Sequence, residues 1–279
     1  MLVLVGLSGG VFGAMMGVGG GAFIVPLLTL AMGLPIQVAI ASSLVAVAGT
    51  ACASSAAYVK AGLTNIRLGL LLETTTTVGA IAGALLAVLL DARLLAGIFG
   101  LAIIYASFNM FRQGPGTSGA ISPMAASGAS PGSFGSSLAA SYQDHAATGG
   151  VVRYHPFRLK PGLGAGGLAG VLSGLLGIGG GVVKIPVMNL VMGVPMKAAI
   201  ATSSFMIGIT AVASSFVYYH RGYMDPLVAA PVFVGVFLGV QVGVRAMQRM
   251  QGHGLRLVFA AILLGVATLM FLRAAGVLA

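Results

Sequence analysis

The sequence predicts an all-α polytopic membrane protein made of two homologous repeats. Three observations carry this reading. Hydrophobic residues fill 58% of the 279 positions and charged residues only 6%, against roughly 25% charged in a soluble domain. The mean hydropathy is +1.06. The apolar runs reach the ~20 residues that a membrane-spanning helix needs, rather than the ~10-residue alternating segments of an outer-membrane barrel. A lone strand in lipid cannot satisfy its backbone, so the runs are read as helices.

The runs fall into two clusters. Met1–Met16, a glycine cluster, Ala22–Met32, Ile36–Val59, Ile66–Leu90 and Leu94–Phe111 form the first repeat, residues 1–111. Leu163–Leu176, a second glycine cluster, Val182–Met192, Met196–Tyr219, Leu227–Met247 and Leu255–Leu278 form the second, residues 161–279. Between them, residues 112–160 are rich in Gly, Ser, Ala and Pro from Gln113 to Gly150. That composition buries too little apolar surface to offset ordering entropy. It reads as a flexible connector, with a regulatory or partner-binding role as the alternative. The apolar N-terminus lacks a basic n-region, so it is taken as part of the fold, not a signal peptide. Cys52, the only cysteine, makes no intrachain disulfide and reads as packing.

The two clusters align without a gap. From Gly17–Gly62 against Gly177–Gly222, 20 of 46 positions are identical. Gly17, Gly19, Gly20, Gly21 and Pro26 match Gly177, Gly179, Gly180, Gly181 and Pro186. Ala41-Ser42-Ser43 matches Ala201-Thr202-Ser203, and Tyr58 matches Tyr218. Paired repeats of this kind are a common plan of secondary transporters.

The first element of each repeat decides orientation. As one straight helix, Met1–Met32 would run about 48 Å, against a hydrocarbon core of about 30 Å. Its glycines disfavour continuous helix by ~1 kcal/mol each. It is either a tilted broken span or a re-entrant hairpin with the glycines at its tip. As full spans, the first elements leave eight basic residues on one side and five on the other. As hairpins, Lys60, Arg67, Arg112, Arg153, Arg158, Lys160, Lys197, Arg245, Arg249 and Arg256 share one side, against Arg93, Arg221 and Arg273, with Lys184 intramembrane. The positive-inside rule favours the second count. A hairpin plus three spans makes each repeat odd. The repeats are then inverted, with both termini outside and the connector cytoplasmic.

The doubled Gly-x-Gly-Gly-Gly before a short apolar half-helix is the strongest chemical signal. A half-helix starting inside the membrane offers free amides and a positive dipole end, a natural anion site. The competing reading is close helix packing by small residues. Lys184, matched by Ile24 in the first repeat, puts a costly cation in the first turn of the second half-helix. Snorkelling to an interface is its alternative. Glu73, matched by Phe233, is a coupling candidate; a structural bond, or pairing with a base such as Lys184, is the other reading. Ser42, Ser43, Thr202 and Ser203 stand early in the helices after the hairpins. They suit either an oxyanion or bonds across helices.

Other functions fit poorly. The net charge of +10 sits at run ends and in the connector, not on a nucleic-acid-binding face. Gly6-Leu7-Ser8-Gly9 resembles an intramembrane serine-protease motif, yet His145, His155, His220 and His253 all fall in loops or at helix ends, leaving no base beside it. Metal-ligand spacing and a phosphate-binding loop are absent, and no cofactor is expected.

The segments Gly17-Val18-Gly19-Gly20-Gly21…Pro26…Pro35…Ala41-Ser42-Ser43 and Gly177-Ile178-Gly179-Gly180-Gly181…Pro186…Pro195…Ala201-Thr202-Ser203 resemble the sulfite exporter TauE/SafE family, as does Tyr219-His220-Arg221-Gly222-Tyr223-Met224-Asp225. The resemblance covers nearly all the chain except the connector. It implies a multi-pass transporter of the prokaryotic plasma (inner) membrane for sulfur-containing anions such as sulfite, organosulfonates or thiosulfate. The expectation is therefore a secondary exporter, not an enzyme, with the anion held between the two glycine tips and protons as a candidate coupling ion. A passive anion channel is the alternative, followed by a non-transport membrane protein. Partners are the small anion and the lipid bilayer; the sequence gives no oligomeric state.

Overall fold

The computed structural model describes residues 1–112, 138–143, 151–249 and positions 265 and 268. The last predicted span, Leu255–Leu278, with Arg256 and Arg273, and most of the connector lie outside them. The described chain is helical: α1 (Leu2–Met16), α2 (Gly21–Pro26), α3 (Ile36–Lys60), α4 (Ile66–Leu89), α5 (Ala92–Arg112), α6 (Leu159–Leu176), α7 (Gly181–Pro186), α8 (Met196–His220) and α9 (Pro226–Arg249). Five helices are long and apolar enough to cross a membrane, namely α3, α4, α6, α8 and α9. Their outward faces are apolar: Val78 is 70% exposed and Leu227 82%. Lipid, not water, suits such a surface. The protein is a polytopic membrane protein.

Local chemistry sets the helix ends. Pro35 and Pro195 precede α3 and α8 with extended backbone (φ −55°, ψ near 140°). Asn65 caps α4 by accepting from the Leu68 amide at 3.1 Å, and Pro226 opens α9, where its missing N–H is not needed. Pro26 and Pro186 close α2 and α7, and each is followed by a π-helical turn, Leu27–Ala31 and Val187–Val191. A proline removes one ladder bond, and a π turn is a known way to absorb the defect.

Residues of α2 pack against α1. A Cβ on Gly9 would meet the Ile24 side chain, Gly20 abuts the Gly9 carbonyl, and the Phe12 and Phe23 rings stack at 4.9 Å. Beyond α7, Met192 packs against α6: a Cβ on Gly162 would lie 2.7 Å from its Sδ.

Glycines then bring distant helices into backbone contact. On α1 and α9, Gly6 and Gly10 abut the Val232 and Val236 carbonyls, while Gly235, Gly239 and Gly243 abut those of Val3, Leu7 and Val11. The partners advance together, so α1 and α9 run parallel. Gly79, Gly83, Gly170 and Gly174 tie α4 to α6 in the same way, against the carbonyls of Gly167, Val171, Thr76 and Ala80. Helices α3 and α8 meet at the centre, where Val47 and Ile207 touch both glycine clusters. Tyr58 donates to the Ala14 carbonyl (2.7 Å) and Tyr218 to that of Gly174 (3.2 Å).

Part of the connector differs from the flexible segment the composition suggests. Strands β1 (Ala140–Gln143) and β2 (Val151–Tyr154) pair antiparallel, and Leu138, Tyr142 and Tyr154 are buried. Apolar and aromatic side chains docked on the helices supply what composition averages away. Helix α6 also starts earlier than the sequence suggests, at Leu159, because Pro161 is tolerated in a first turn.

The packing makes a stability prediction. Gly174→Ala drives a methyl into the Ala80 carbonyl and should cost about 1–3 kcal/mol. Gly97→Ala meets nothing within 4 Å and should be neutral, or stabilising by up to ~1 kcal/mol. Thermal unfolding in detergent reads both; an unaffected Gly174→Ala would contradict the tight α4/α6 contact.

Candidate functional site

The two glycine clusters meet at the middle of the molecule. Gly17 and Gly177 end α1 and α6 in the left-handed region (φ 65° and 67°), and Gly19, Gly20, Gly179 and Gly180 also have positive φ. Side chains other than glycine rarely take that backbone. Gly21 lies against the Gly177 carbonyl and Gly181 against the Gly17 carbonyl, leaving no room for a Cβ. The eight predicted glycines thus come together, and close packing alone accounts for their identity. The tips still hold unspent donors. The amides of Gly19, Gly20, Gly21 and Ala22, and of Gly179, Gly180, Gly181 and Val182, find no acceptor among the described residues. Buried amides without a partner are rare and costly.

The four predicted hydroxyls do separate work. Ser43 donates to the Gly177 carbonyl at 3.0 Å and Ser203 to the Gly17 carbonyl at 3.2 Å, each pinning the opposite tip. Thr202 accepts from the Asn65 amide at 3.0 Å. Ser42 is fully buried, and its hydroxyl has no partner. Asn65 also donates from Nδ2 to the Leu138 carbonyl (3.0 Å), which ties Leu138 of the connector to this end of α4 and α8.

The two intramembrane charges find each other. Lys184 Nζ lies 3.5 Å from Glu73 Oε2, with both side chains buried. The ammonium also donates to Thr210 Oγ1 at 2.7 Å. Thr76 donates to Glu73 Oε2 (2.7 Å), Thr77 to Oε1 (3.0 Å) and Thr210 to Oε1 (2.7 Å). Of the readings open for Glu73, this geometry supplies the pairing with Lys184. Burial rules out snorkelling for Lys184. The equivalent positions hold no such cluster: Ile24 of the first repeat packs at Gly9, and Phe233 of the second at Gly49.

Two residues of this cluster escape sequence reasoning. Thr210 matches Thr50, which only bonds back to the Ala46 carbonyl at 3.0 Å, so the alignment marks no difference between them. Ser173 is fully buried with an unpartnered hydroxyl. It flanks Gly180 together with Lys184: a Cβ there would lie 3.0 Å from Ser173 Cβ and 3.4 Å from Lys184 Cε. At the same offset its counterpart is Gly13, four residues before the aligned stretch, so extending the alignment would have shown a serine replacing a glycine.

Elsewhere, a cavity of about 220 Å³ lies between α3 and α9, lined by Ala53, Ala57, Val240, Gln241, Val244 and Arg245, away from the ion pair. Ser8 of the protease-like motif donates to the Val5 carbonyl of its own helix at 2.9 Å. No cluster of metal-ligating side chains occurs among the described residues.

Comparison with known proteins agrees with a transport role. The family model described as Sulfite exporter TauE/SafE matches residues 2–270. The chain is 28% identical over 258 residues to the probable membrane transporter protein YunE of Bacillus subtilis (strain 168), covering 90% of this chain and 89% of that protein. It is 24% identical over 278 residues to the probable membrane transporter protein MJ0441 of Methanocaldococcus jannaschii, covering 94% and 91%. No solved structure gives a significant match.

The buried pair predicts a coupled stability pattern. Lys184→Met strands the Glu73 carboxylate and should cost about 3–5 kcal/mol. Adding Glu73→Gln should recover most of the loss, because an amide can keep bonds to Thr76, Thr77 and Thr210. Unfolding of the single and double variants checks this; a double variant no more stable than Lys184→Met would contradict it.

Proposed function

The chain belongs to the sulfite exporter TauE/SafE family, whose members are membrane transporters and not enzymes, and on that premise we propose that it is a secondary exporter of a small sulfur-containing anion. The substrate class is sulfite, an organosulfonate or thiosulfate. The observation that carries the anion reading is Lys184, a buried cation beside a glycine tip whose amides have no acceptor. Small anions suit such a place: backbone N–H groups and a positive dipole end are already oriented, and one ammonium supplies net charge. In this reading Gly17–Gly21 and Gly177–Gly181 offer the amides, Lys184 and Ser173 line the second tip, and Ser42 offers a hydroxyl from the first half. Ser43 and Ser203 hold the tips in place, and Thr202 holds the Asn65 amide before α4.

Residues 1–111 and 161–279 are taken as inverted repeats joined by a cytoplasmic connector, in the plasma membrane of a prokaryotic-type cell. Supporting this, α1 runs parallel to α9 and α4 to α6; with each glycine cluster read as a hairpin tip, equivalent helices of the two halves point opposite ways. The glycine-packed pairs also bear on the motion. Rocking one intact repeat against the other would tear both the α1/α9 and α4/α6 interfaces. The moving bodies are instead these two mixed pairs, shifting about the α3/α8 crossing at Val47 and Ile207. Alternating access then opens the tips to one side at a time.

The test is a thermal-stability scan of the purified protein at fixed ionic strength. Sulfite, sulfate, thiosulfate, short organosulfonates and carboxylates are compared with cation controls. A ligand at 100 times its Kd should stabilise by about 2.7 kcal/mol, and Lys184→Ala should abolish the effect. Equal stabilisation of wild type and Lys184→Ala by every anion would remove the site. For topology, reporter fusions should place the C-terminus outside; a cytoplasmic C-terminus would contradict the inverted arrangement.

A further inference from the structure

The Glu73–Lys184 cluster carries more than a structural ion pair. Its geometry is that of a cation held loosely by an exchangeable anion. A charge-assisted N–H···O bond is usually about 2.7–2.9 Å long, yet the ammonium stands 3.5 Å from the carboxylate. Its short contact, 2.7 Å, goes to the neutral Thr210 hydroxyl. An ammonium has three donors, and among the described residues Lys184 spends two, on Glu73 and Thr210. Ser173, whose buried hydroxyl has no partner, and the Lys184 stem flank the same face of Gly180, through Ser173 Cβ and Lys184 Cε.

The carboxylate is held differently. Its partners are hydroxyls that can reverse or withdraw. Thr76 also reaches the Glu73 carbonyl (3.2 Å), and Thr210 the Met206 carbonyl (2.8 Å). If Glu73 gained a proton, Thr210 could accept it in a hydrogen bond while donating to Met206. The cradle therefore satisfies both the charged and the neutral side chain. The elements packed around Glu73 are α6, α7 and α8. Among their described residues only Lys184 brings a charge to it; α8 brings Thr210, and α6 brings Gly166 and Gly170 against Thr76. Lys160, Lys197 and His220 on these helices, and Arg67 on α4, stand in end turns.

We propose that Glu73 is the resident counter-anion of Lys184, and that a transported anion takes its place while the displaced carboxylate binds one proton from the aqueous side then open. This rests on the anion reading above. Electrostatics requires the proton. The pair alone is neutral. A monovalent anion added to it would leave a net negative charge in a low-dielectric site, where like charges repel strongly. One proton on Glu73 restores neutrality. No covalent bond changes: the anion enters, the ion pair parts, and Glu73 gains an O–H that it loses when the anion leaves. Anion and proton thus travel together, so net flux follows the sum of their two gradients, and export occurs where the outward anion gradient exceeds the inward proton gradient.

The experiment is calorimetric titration of the full detergent-solubilised chain with ethanesulfonate, which does not titrate near neutral pH. Repeating it in buffers of different ionisation enthalpy counts protons. The wild type should take up about one proton per anion, and its affinity should fall about tenfold per unit rise in pH while Glu73 is ionised in the free protein. Glu73→Gln should bind at least as tightly, with no proton uptake and no pH slope. Anion binding that needs Lys184 but takes up no proton in the wild type would overturn this proposal alone. Proton uptake persisting in Glu73→Gln would overturn it as well. No binding of ethanesulfonate, sulfite or thiosulfate to the wild type would overturn it together with the anion reading. The wild-type count needs no variant to fold.

Discussion

Everything in this structure depends on two backbones touching at its centre. Gly21 rests on the Gly177 carbonyl and Gly181 on the Gly17 carbonyl, so each glycine cluster is buttressed by the other. Neither tip would be held alone inside a bilayer, where free amides and carbonyls are expensive. Ser43 and Ser203 fasten the contact from the long helices. Tyr58 and Tyr218 fasten the helices leading into the tips. The glycine-packed α1/α9 and α4/α6 pairs then enclose this centre. A small-residue seam lets backbones approach closely without a hydrophobic driving force, which lipid does not provide.

Within this near-symmetric frame the chemistry is one-sided. Lys184, Glu73 and Ser173 are polar where their repeat counterparts Ile24, Phe233 and Gly13 are apolar or lack a side chain. A frame built twice can keep one copy for packing and give the other to a ligand. The threonines follow the same division. Thr50 returns its hydroxyl to its own helix, while Thr210 stands between an ammonium and a carboxylate. The neutral pair explains how two charges are tolerated at this depth, and the long ammonium–carboxylate distance leaves the cation able to accept another anion.

Much of this was legible in the sequence, for identifiable reasons. Helix bounds followed the apolar runs to within a few residues because proline and glycine punctuate them, as at Pro35, Pro195, Gly62 and Gly222. The doubled glycine clusters announced a special backbone, since four glycines within five residues of an apolar run have little other use. Lys184 and Glu73 stood out as charges where charges are costly. Their contact was one of several readings, because no periodicity spans the 111 positions between them. Thr210 stayed hidden because its match is also threonine. The docking of Tyr142 and Tyr154 was masked by the Gly- and Ser-rich stretch around them. Glycine function was ambiguous for a physical reason: the same missing Cβ that admits a ligand admits a neighbouring carbonyl.

The central claim is that the second glycine tip and Lys184 move an anion against its gradient. Uphill flux in proteoliposomes tests it most directly. With an imposed proton gradient, labelled ethanesulfonate or sulfite should accumulate above its external concentration in wild-type vesicles and not in Lys184→Ala vesicles. Accumulation that stops at equal concentrations on both sides would mark a passive anion channel. Equal accumulation by the two proteins would contradict the role of Lys184.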